Sequence, residues 1–199
     1  MVTILLFSIF DHRKYKVMTG SMKQIHHQFE KLELKKKALM NLIAPLSDKK
    51  YTQQPSSGSW SVAQATNHIF LSEQLSTAYI RKKLSYPDTL LPFQITSWGG
   101  VFLIKLALWS NYKRKAPVAI NMWEQQTILS QTDLEQHWSK LRADMITLIE
   151  KHQENFGSHM VYRHPFAGRM TMHQMLIFLN DHMAHHIKQI NRIVSKIEN

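Results

Sequence analysis

The chain has 199 residues, 44% of them hydrophobic, with 25 Lys and Arg against 14 Asp and Glu and no cysteine. That length suffices for one domain with a full core, and the lack of cysteine excludes disulfides, thiolate metal ligands and a cysteine nucleophile, so any thiol chemistry needs an external thiol. The formal charge of +11 attracts polyanions, yet the basic runs at 35–37, 81–83 and 113–115 are scattered, and no helix-turn-helix, zinc-finger or RNP-type pattern accompanies them. They read as solvated faces and helix ends, and no specific nucleic-acid partner is expected.

The opening run Val2 to Phe10 is apolar, but no basic residue precedes it and no small-residue cleavage site follows before Asp11. It is far short of the ~20 residues that cross a bilayer. Residues 1–20 are therefore read as an unstructured or loosely docked extension to a domain over 21–199, with Met18 and Met22 as alternative starts to Met1. A cytoplasmic location and no integral membrane association are expected.

Residues 24–47 place Phe29, Leu32, Leu39, Leu42, Ile43 and Leu46 at three- and four-residue spacings, with Lys35 to Lys37 on the other side, which predicts an amphipathic helix. After Ser56-Ser57-Gly58-Ser59, Ser61 followed by Gln64 reads as a capping box, with Trp60 just outside it. The helix it starts runs to about Lys83, and His68 falls on a stripe with Leu71, Leu75 and Tyr79, facing inward. Tyr86-Pro87-Asp88 is turn chemistry.

The apolar stretch Trp98 to Trp109 is too short to span a membrane and carries Lys105, so it reads as a buried or surface-lying helix after a Gly99-Gly100 hinge. A membrane-surface role stays open for it. A basic, irregular link ending near Pro117 follows. From Thr132 to about Glu154, Leu134, Trp138, Leu141, Met145, Leu148 and Ile149 mark another helical face, capped by Thr132 or Asp133. Gly157 and His164-Pro165-Phe166-Ala167-Gly168 form a loop, and a last helix from about Thr171 to Ile193 carries Met172, Met175, Leu179, Met183, Ile190 and Val194 inward. No segment alternates with period two, so no strand is expected. Four main helices with a shorter inserted one make an all-α four-helix bundle.

On the last helix His182 and His186 are four residues apart and leave one face, His186 near its centre and His182 at its edge, while Asp181 points away and His185 lies just outside. Such a pair can grip one metal ion. By spacing alone it serves equally as a hydrogen-bonded core pair, since the chain has 12 histidines, and a single inward residue such as His68 is more often structural than a ligand. His164, His173 and His185 are not expected as primary ligands. Arg163 and Arg169 flank the Pro165–Gly168 loop and are weak candidates for a substrate carboxylate, solvated arginines being the commoner case. Asn67 and Gln189 are weak candidates to orient a ligand from behind. No Gly-x-Ser-x-Gly elbow, Gly-rich phosphate loop or di-iron Glu-x-x-His pattern occurs, which points to a mononuclear site.

Trp60-Ser61-Val62-Ala63-Gln64 followed by His68, then Pro165-Phe166-Ala167-Gly168 leading into His182-Met183-Ala184-His185-His186-Ile187-Lys188-Gln189-Ile190, resembles the DinB/YfiT-like superfamily over roughly residues 24–195. The resemblance implies a four-helix bundle holding a divalent metal through His68, His182 and His186. Three neutral imidazoles leave an ion's charge uncompensated, so it can acidify a bound water or thiol. Relatives include thiol-dependent S-transferases using bacillithiol or mycothiol. The resemblance therefore implies transfer of a low-molecular-weight thiol to a small electrophile, with a metal-dependent hydrolase, or a non-catalytic metal-binding or oligomerising bundle, as alternatives. Zinc or nickel is the expected ion, iron and manganese also accepting imidazoles. Homodimerisation through bundle faces is compatible with the pattern.

Overall fold

The computed structural model describes residues 20–109 and 128–198. Most of the proposed N-terminal extension, the 113–115 basic run and the link near Pro117 lie outside the described residues. Helix α1 (Gly20–Ile43) begins four residues before the expected start because Met22 and Ile25 already face the core. Its buried stripe is Ile25, Phe29, Leu32, Lys36, Leu39 and Ile43. Lys36 thus occupies a core register position instead of the outer face. Its stem packs inside while Nζ donates to Ser139 Oγ at 2.9 Å, and burial lowers its pKa. Lys35 donates to Asn180 Oδ1 at 2.7 Å, so two of the three lysines in that run serve the bundle and not a polyanion.

After the short α2 (Asp48–Thr52) comes α3 (Val62–Leu84), whose start is the expected capping box. Ser61 Oγ accepts from Gln64 N–H at 3.1 Å and Gln64 Oε1 accepts from Ser61 N–H at 2.9 Å, an arrangement worth about 1 kcal/mol. The buried face of α3 is not the Leu71–Leu75–Tyr79 stripe. Tyr79 is exposed, and the core side carries Thr66, Ile69, Phe70, Glu73, Thr77 and Ile80, with His68 half-buried at its margin. Counting apolar residues misplaces this face because its polar members are satisfied inside. Tyr51 Oη and Thr66 Oγ1 are 2.9 Å apart, and Ser76 Oγ donates to Tyr162 Oη at 3.1 Å. Glu73, fully buried, accepts from Trp138 Nε1 at 2.8 Å and from Arg142 Nη2 at 2.8 Å, while Arg142 also reaches the half-exposed Glu33 at 3.3 Å.

A single 3₁₀ turn (Pro87–Thr89) and strand β1 (Leu91–Pro92) lead to α4 (Ser97–Trp109). Gly99 and Gly100 lie inside α4 and form no hinge; a Cβ on Gly100 would overlap the carbonyl oxygen of Ala167, so the glycine lets helix and loop touch. Helix α5 (Gln131–Lys151) is capped by Ser130, whose Oγ accepts from Asp133 N–H at 3.1 Å, and not by Thr132 or Asp133. All six residues predicted for its inner face are buried. The short α6 (Gln153–Phe156) follows.

Strands do occur, against expectation: β2 (His159–Met160) pairs antiparallel with β1, and β3 (Tyr162–His164) with β4 (Gly168–Met170), setting Arg163 opposite Arg169. With two or three residues each, none is long enough to show an alternation. Gly168, at φ +74°, supplies the left-handed residue that closes the second hairpin. Helix α7 (Met172–Glu198) starts with a second reciprocal cap, Thr171 with Gln174, and Gln174 Nε2 also donates to Ser97 Oγ at 2.8 Å, pinning the start of α4 to the start of α7. The long helices α1, α3, α5 and α7 form the four-helix bundle, and α7 packs against α1, α3 and α4. No described helix is long and apolar enough to cross a membrane.

Candidate metal centre

The capping box fixes where α3 begins, and two turns later His68 emerges beside α7. There, a 27-residue helix with its apolar stripe against α1 and α3 delivers His182 and His186 from consecutive turns of one face. Both are 8% exposed. His68 Nε2 lies 3.2 Å from His182 Nε2, and His186 Nε2 lies 3.1 Å from the same atom. One ligand nitrogen from each residue falls within 4.8 Å of the others, a grouping of three brought together from positions separated by more than a hundred residues.

Hydrogen bonding alone does not satisfy this array. His186 Nδ1 faces Gln189 Oε1 at 2.8 Å and donates to it, which leaves the lone pair on His186 Nε2. A proton on His182 Nε2 can serve His186 or His68 as its main partner, not both, and without that proton two lone pairs face each other at 3.1 Å. His182 Nδ1 is buried with no partner among the described residues. A cation at the meeting point would take the Nε2 lone pairs of all three, with the proton of His182 then carried on Nδ1. With metal–nitrogen bonds of 2.0–2.1 Å, tetrahedral coordination sets nitrogens about 3.3 Å apart, close to the separations found here. The residues present therefore fit a divalent ion.

The electrostatics agree. Burial, reinforced by the charge of His185, pushes the pKa of His68 down to about 4; burial and His68 push His186 down to about 3, against the opposing bond to Gln189. His182 is driven well below the ordinary imidazole value by burial first and then by His186, His68, His185 and His164. All three are neutral at pH 7, so no proton need be displaced from them when a metal binds. No carboxylate is among the groups that shift them.

Trp60, the residue before the capping box, walls the site: its ring stacks on His186 at 6.1 Å with a 14° tilt and leans on His68 at 5.1 Å. His185 directs Nδ1 to the Leu108 carbonyl at 2.7 Å, so it anchors α4 and joins no triad. His164 Nδ1 accepts from the Phe166 and Ala167 N–H groups at 3.1 and 3.2 Å, closing the hairpin loop, while its ring packs on Phe178 at 4.6 Å. His173 rests against Trp98. Asp181 is half-exposed and faces Lys35.

Of the weaker candidates, Gln189 does orient a triad ring. Asn67 is buried on the same helix as His68 but takes no part in the triad's hydrogen bonds. Arg163 and Arg169 are exposed; Arg169 lines an open groove of about 230 Å³ with Gln94, Thr96, Ser97, Met160 and Ala167, in which no triad histidine takes part. The role of Trp60 was not foreseen, although an aromatic immediately before an N-cap and eight residues before an inward histidine is a usable signal. The buried Glu73–Arg142–Trp138 group was also missed. Its trace in the sequence is Trp138 and Arg142 four apart on a face otherwise apolar.

The model of the DinB superfamily matches residues 31–190, which include the whole triad. The chain belongs to the DinB superfamily. It is 24% identical over 167 residues to the uncharacterized protein YuaE of Bacillus subtilis, covering 79% of this chain and 91% of that one. Among solved structures this DinB member is similar to YfiT from Bacillus subtilis, described as "a probable metal-dependent hydrolase with an unusual four-helix bundle topology", with a TM-score of 0.57 and 16% identity over 91% of this chain and 90% of that one. It is also similar to TT2238, "a four-helix bundle protein", with a TM-score of 0.54 and 17% identity over 84% and 98% of the two chains. At these identities the likeness establishes the shared bundle.

Proposed function

We propose that this DinB member is a mononuclear metal-dependent enzyme that transfers an external low-molecular-weight thiol to a small electrophile. The observation that carries the reading is the convergence of three neutral imidazole nitrogens, two of them 3.1 and 3.2 Å from the third, on a point beside the half-buried His68. His68, His182 and His186 would hold the ion, which when bound supplies Lewis acidity that lowers the pKa of a water or thiol brought to it. Gln189 fixes the His186 ring, and Trp60 excludes water from one side and offers an apolar surface to a substrate. His185, its Nδ1–H given to the Leu108 carbonyl and its ring 5.1 Å from that of His186, would present Nε2 as an acceptor.

Among the described residues, the charged groups that shift the triad are histidines, and an imidazole is the proton acceptor the reading relies on. A thiol, with an ordinary pKa of about 8.5, would give its proton to an imidazole, and the thiolate would form the C–S bond as a halide leaves or as an epoxide C–O bond opens, the alkoxide then taking that proton back. Hydrolysis asks a base to take a proton from water and an acid to return one to the leaving group. The description of YfiT as a probable metal-dependent hydrolase supports the second reading, ester or amide hydrolysis at the same centre.

The test is metal content by inductively coupled plasma mass spectrometry on untagged protein, comparing the wild type with His68→Ala and His186→Ala. Near-stoichiometric zinc, nickel, iron or manganese, lost in both variants, is expected. The loaded protein is then assayed with bacillithiol or mycothiol against halogenated and epoxide electrophiles, and with activated esters. No metal after reconstitution defeats the enzyme reading, and ester turnover without thiol transfer decides for the hydrolase.

A further inference from the structure

The exposed large apolar side chains of the described residues are concentrated in one region. Helix α4 turns Trp98, Phe102, Leu106 and Trp109 outward, with Phe102 61% and Trp109 82% exposed, while Val101 and Ile104 face the bundle. Phe93 and Ile95 lie on the segment that enters α4. Phe166, 66% exposed, sits in the hairpin loop that Gly100 brings against the helix, next to the Ala167 carbonyl. At 100° per residue, Trp98, Phe102, Lys105 and Trp109 fall within one narrow arc of α4. An apolar face of this extent on a single chain calls for an occupant.

The charge pattern selects it. From Thr89 to Trp109 and from Asn155 to Asn180, the segments that build this face and its rim, the sequence contains no Asp or Glu. The exposed cations are Lys105 in the middle of the helix and Arg163 and Arg169 on the hairpin. A second copy packed on this face by a two-fold axis would bring Lys105 and the two arginines towards their own equivalents, a like-charge arrangement that disfavours self-association. Aromatic rings and leucines interspersed with cations, without acids, are the composition that lies in the interfacial layer of an anionic membrane: rings at the headgroup level, cations against lipid phosphates. Helix α4 has 13 residues and cannot span. The contact is therefore peripheral.

We propose that the face formed by α4, residues 93–95 and the β3–β4 loop docks on an anionic lipid surface. Because His185 bonds to the Leu108 carbonyl, and its ring is 5.1 Å from that of His186, the lipid-facing helix is joined directly to the helix that carries two of the three triad histidines. Docking would place the centre close to the bilayer and its apolar solutes. The proposal does not depend on which ion the triad holds or which reaction it serves.

The full chain is tested by co-sedimentation with vesicles of equal parts phosphatidylglycerol and phosphatidylcholine, and with phosphatidylcholine alone, following tryptophan emission as well as bound protein. Preferential binding to the anionic vesicles with a blue shift is expected, weakened by about tenfold in Phe102→Asp and in Lys105→Glu. Both side chains are exposed, so circular dichroism and the melting midpoint should match the wild type. Failure to bind either vesicle overturns the proposal. So does binding that Phe102→Asp leaves intact, which would mark a diffuse attraction of a basic protein. Sedimentation velocity showing a dimer dispersed by Phe102→Asp, without vesicle binding, assigns the face to a second copy instead.

Discussion

Replacing Gln189 by Leu removes the acceptor from His186 Nδ1 while keeping the volume and the helix propensity of the site. The 2.8 Å bond is what commits the proton to Nδ1 and the lone pair to Nε2. Without it the ring can adopt the other tautomer, with Nε2–H pointing at His182, and can rotate on its stem. Outer partners of this kind change metal affinity by about 10–100-fold, or roughly 1.4–2.7 kcal/mol. Gln189→Glu keeps an oxygen acceptor and adds negative charge beside the imidazole, so affinity should hold or rise. The assay is competition for Zn²⁺ and Ni²⁺ against a chromophoric chelator at neutral pH. A Leu variant that binds as tightly as the wild type, or Leu and Glu variants weakened equally, refutes the orienting role of Gln189.

Glu73→Leu should cost about 3–5 kcal/mol, because it leaves the guanidinium of Arg142, 3% exposed, with only the half-exposed Glu33 at 3.3 Å, and the Trp138 indole N–H without an acceptor. The double variant Glu73→Leu with Arg142→Met should recover most of that loss in urea denaturation, and equal losses in single and double variants would show that the pair is not coupled. Gly100→Val forces a branched side chain against the Ala167 carbonyl and should lower the melting midpoint by several degrees, whereas Gly99→Ala, whose Cβ meets nothing, should be neutral or better. For protein stripped of metal, the folded-state pKa values of His68 and His164, lowered to about 4, and of His186, lowered to about 3, lie below the ordinary 6.5. Between pH 6.5 and about 4 the unfolded chain takes up protons that the folded chain refuses, so stability is full above 6.5 and falls on acidification, by about 1.4 kcal/mol per pH unit for each excess proton. A urea midpoint that does not move between pH 7 and pH 5 contradicts those buried neutral imidazoles.

The helices were legible because their signals are local: the Ser61–Gln64 box, the apolar spacings of α5 and α7, and the Pro87 turn are each contained within a few residues. So was the His182–His186 pair, since one helix sets its geometry. The inner face of α3 was not, because it is lined by Thr66, Glu73 and Ser76, whose partners Tyr51, Trp138, Arg142 and Tyr162 sit on other elements. Lys36 was misread for the same reason; only the fold reveals Ser139 opposite it. Nor can a sequence show that Gly100 serves contact with Ala167 when a glycine pair reads equally well as a hinge. The hairpins escaped because strands of two or three residues hold no period.

The span between His68 and His182 is 114 residues, more than half the chain. An ion gripped by both therefore acts as a removable cross-link that closes a loop of that length, and it can form only after α3 and α7 have docked. If it recognises the folded arrangement alone, such an ion would add RT ln(1 + [M]/Kd) to the free energy of unfolding, about 2.7 kcal/mol when free metal is a hundredfold above Kd. Metal supply would thereby set the fraction of the chain that is folded, and starvation for the ion would show first as a larger unfolded population open to proteolysis.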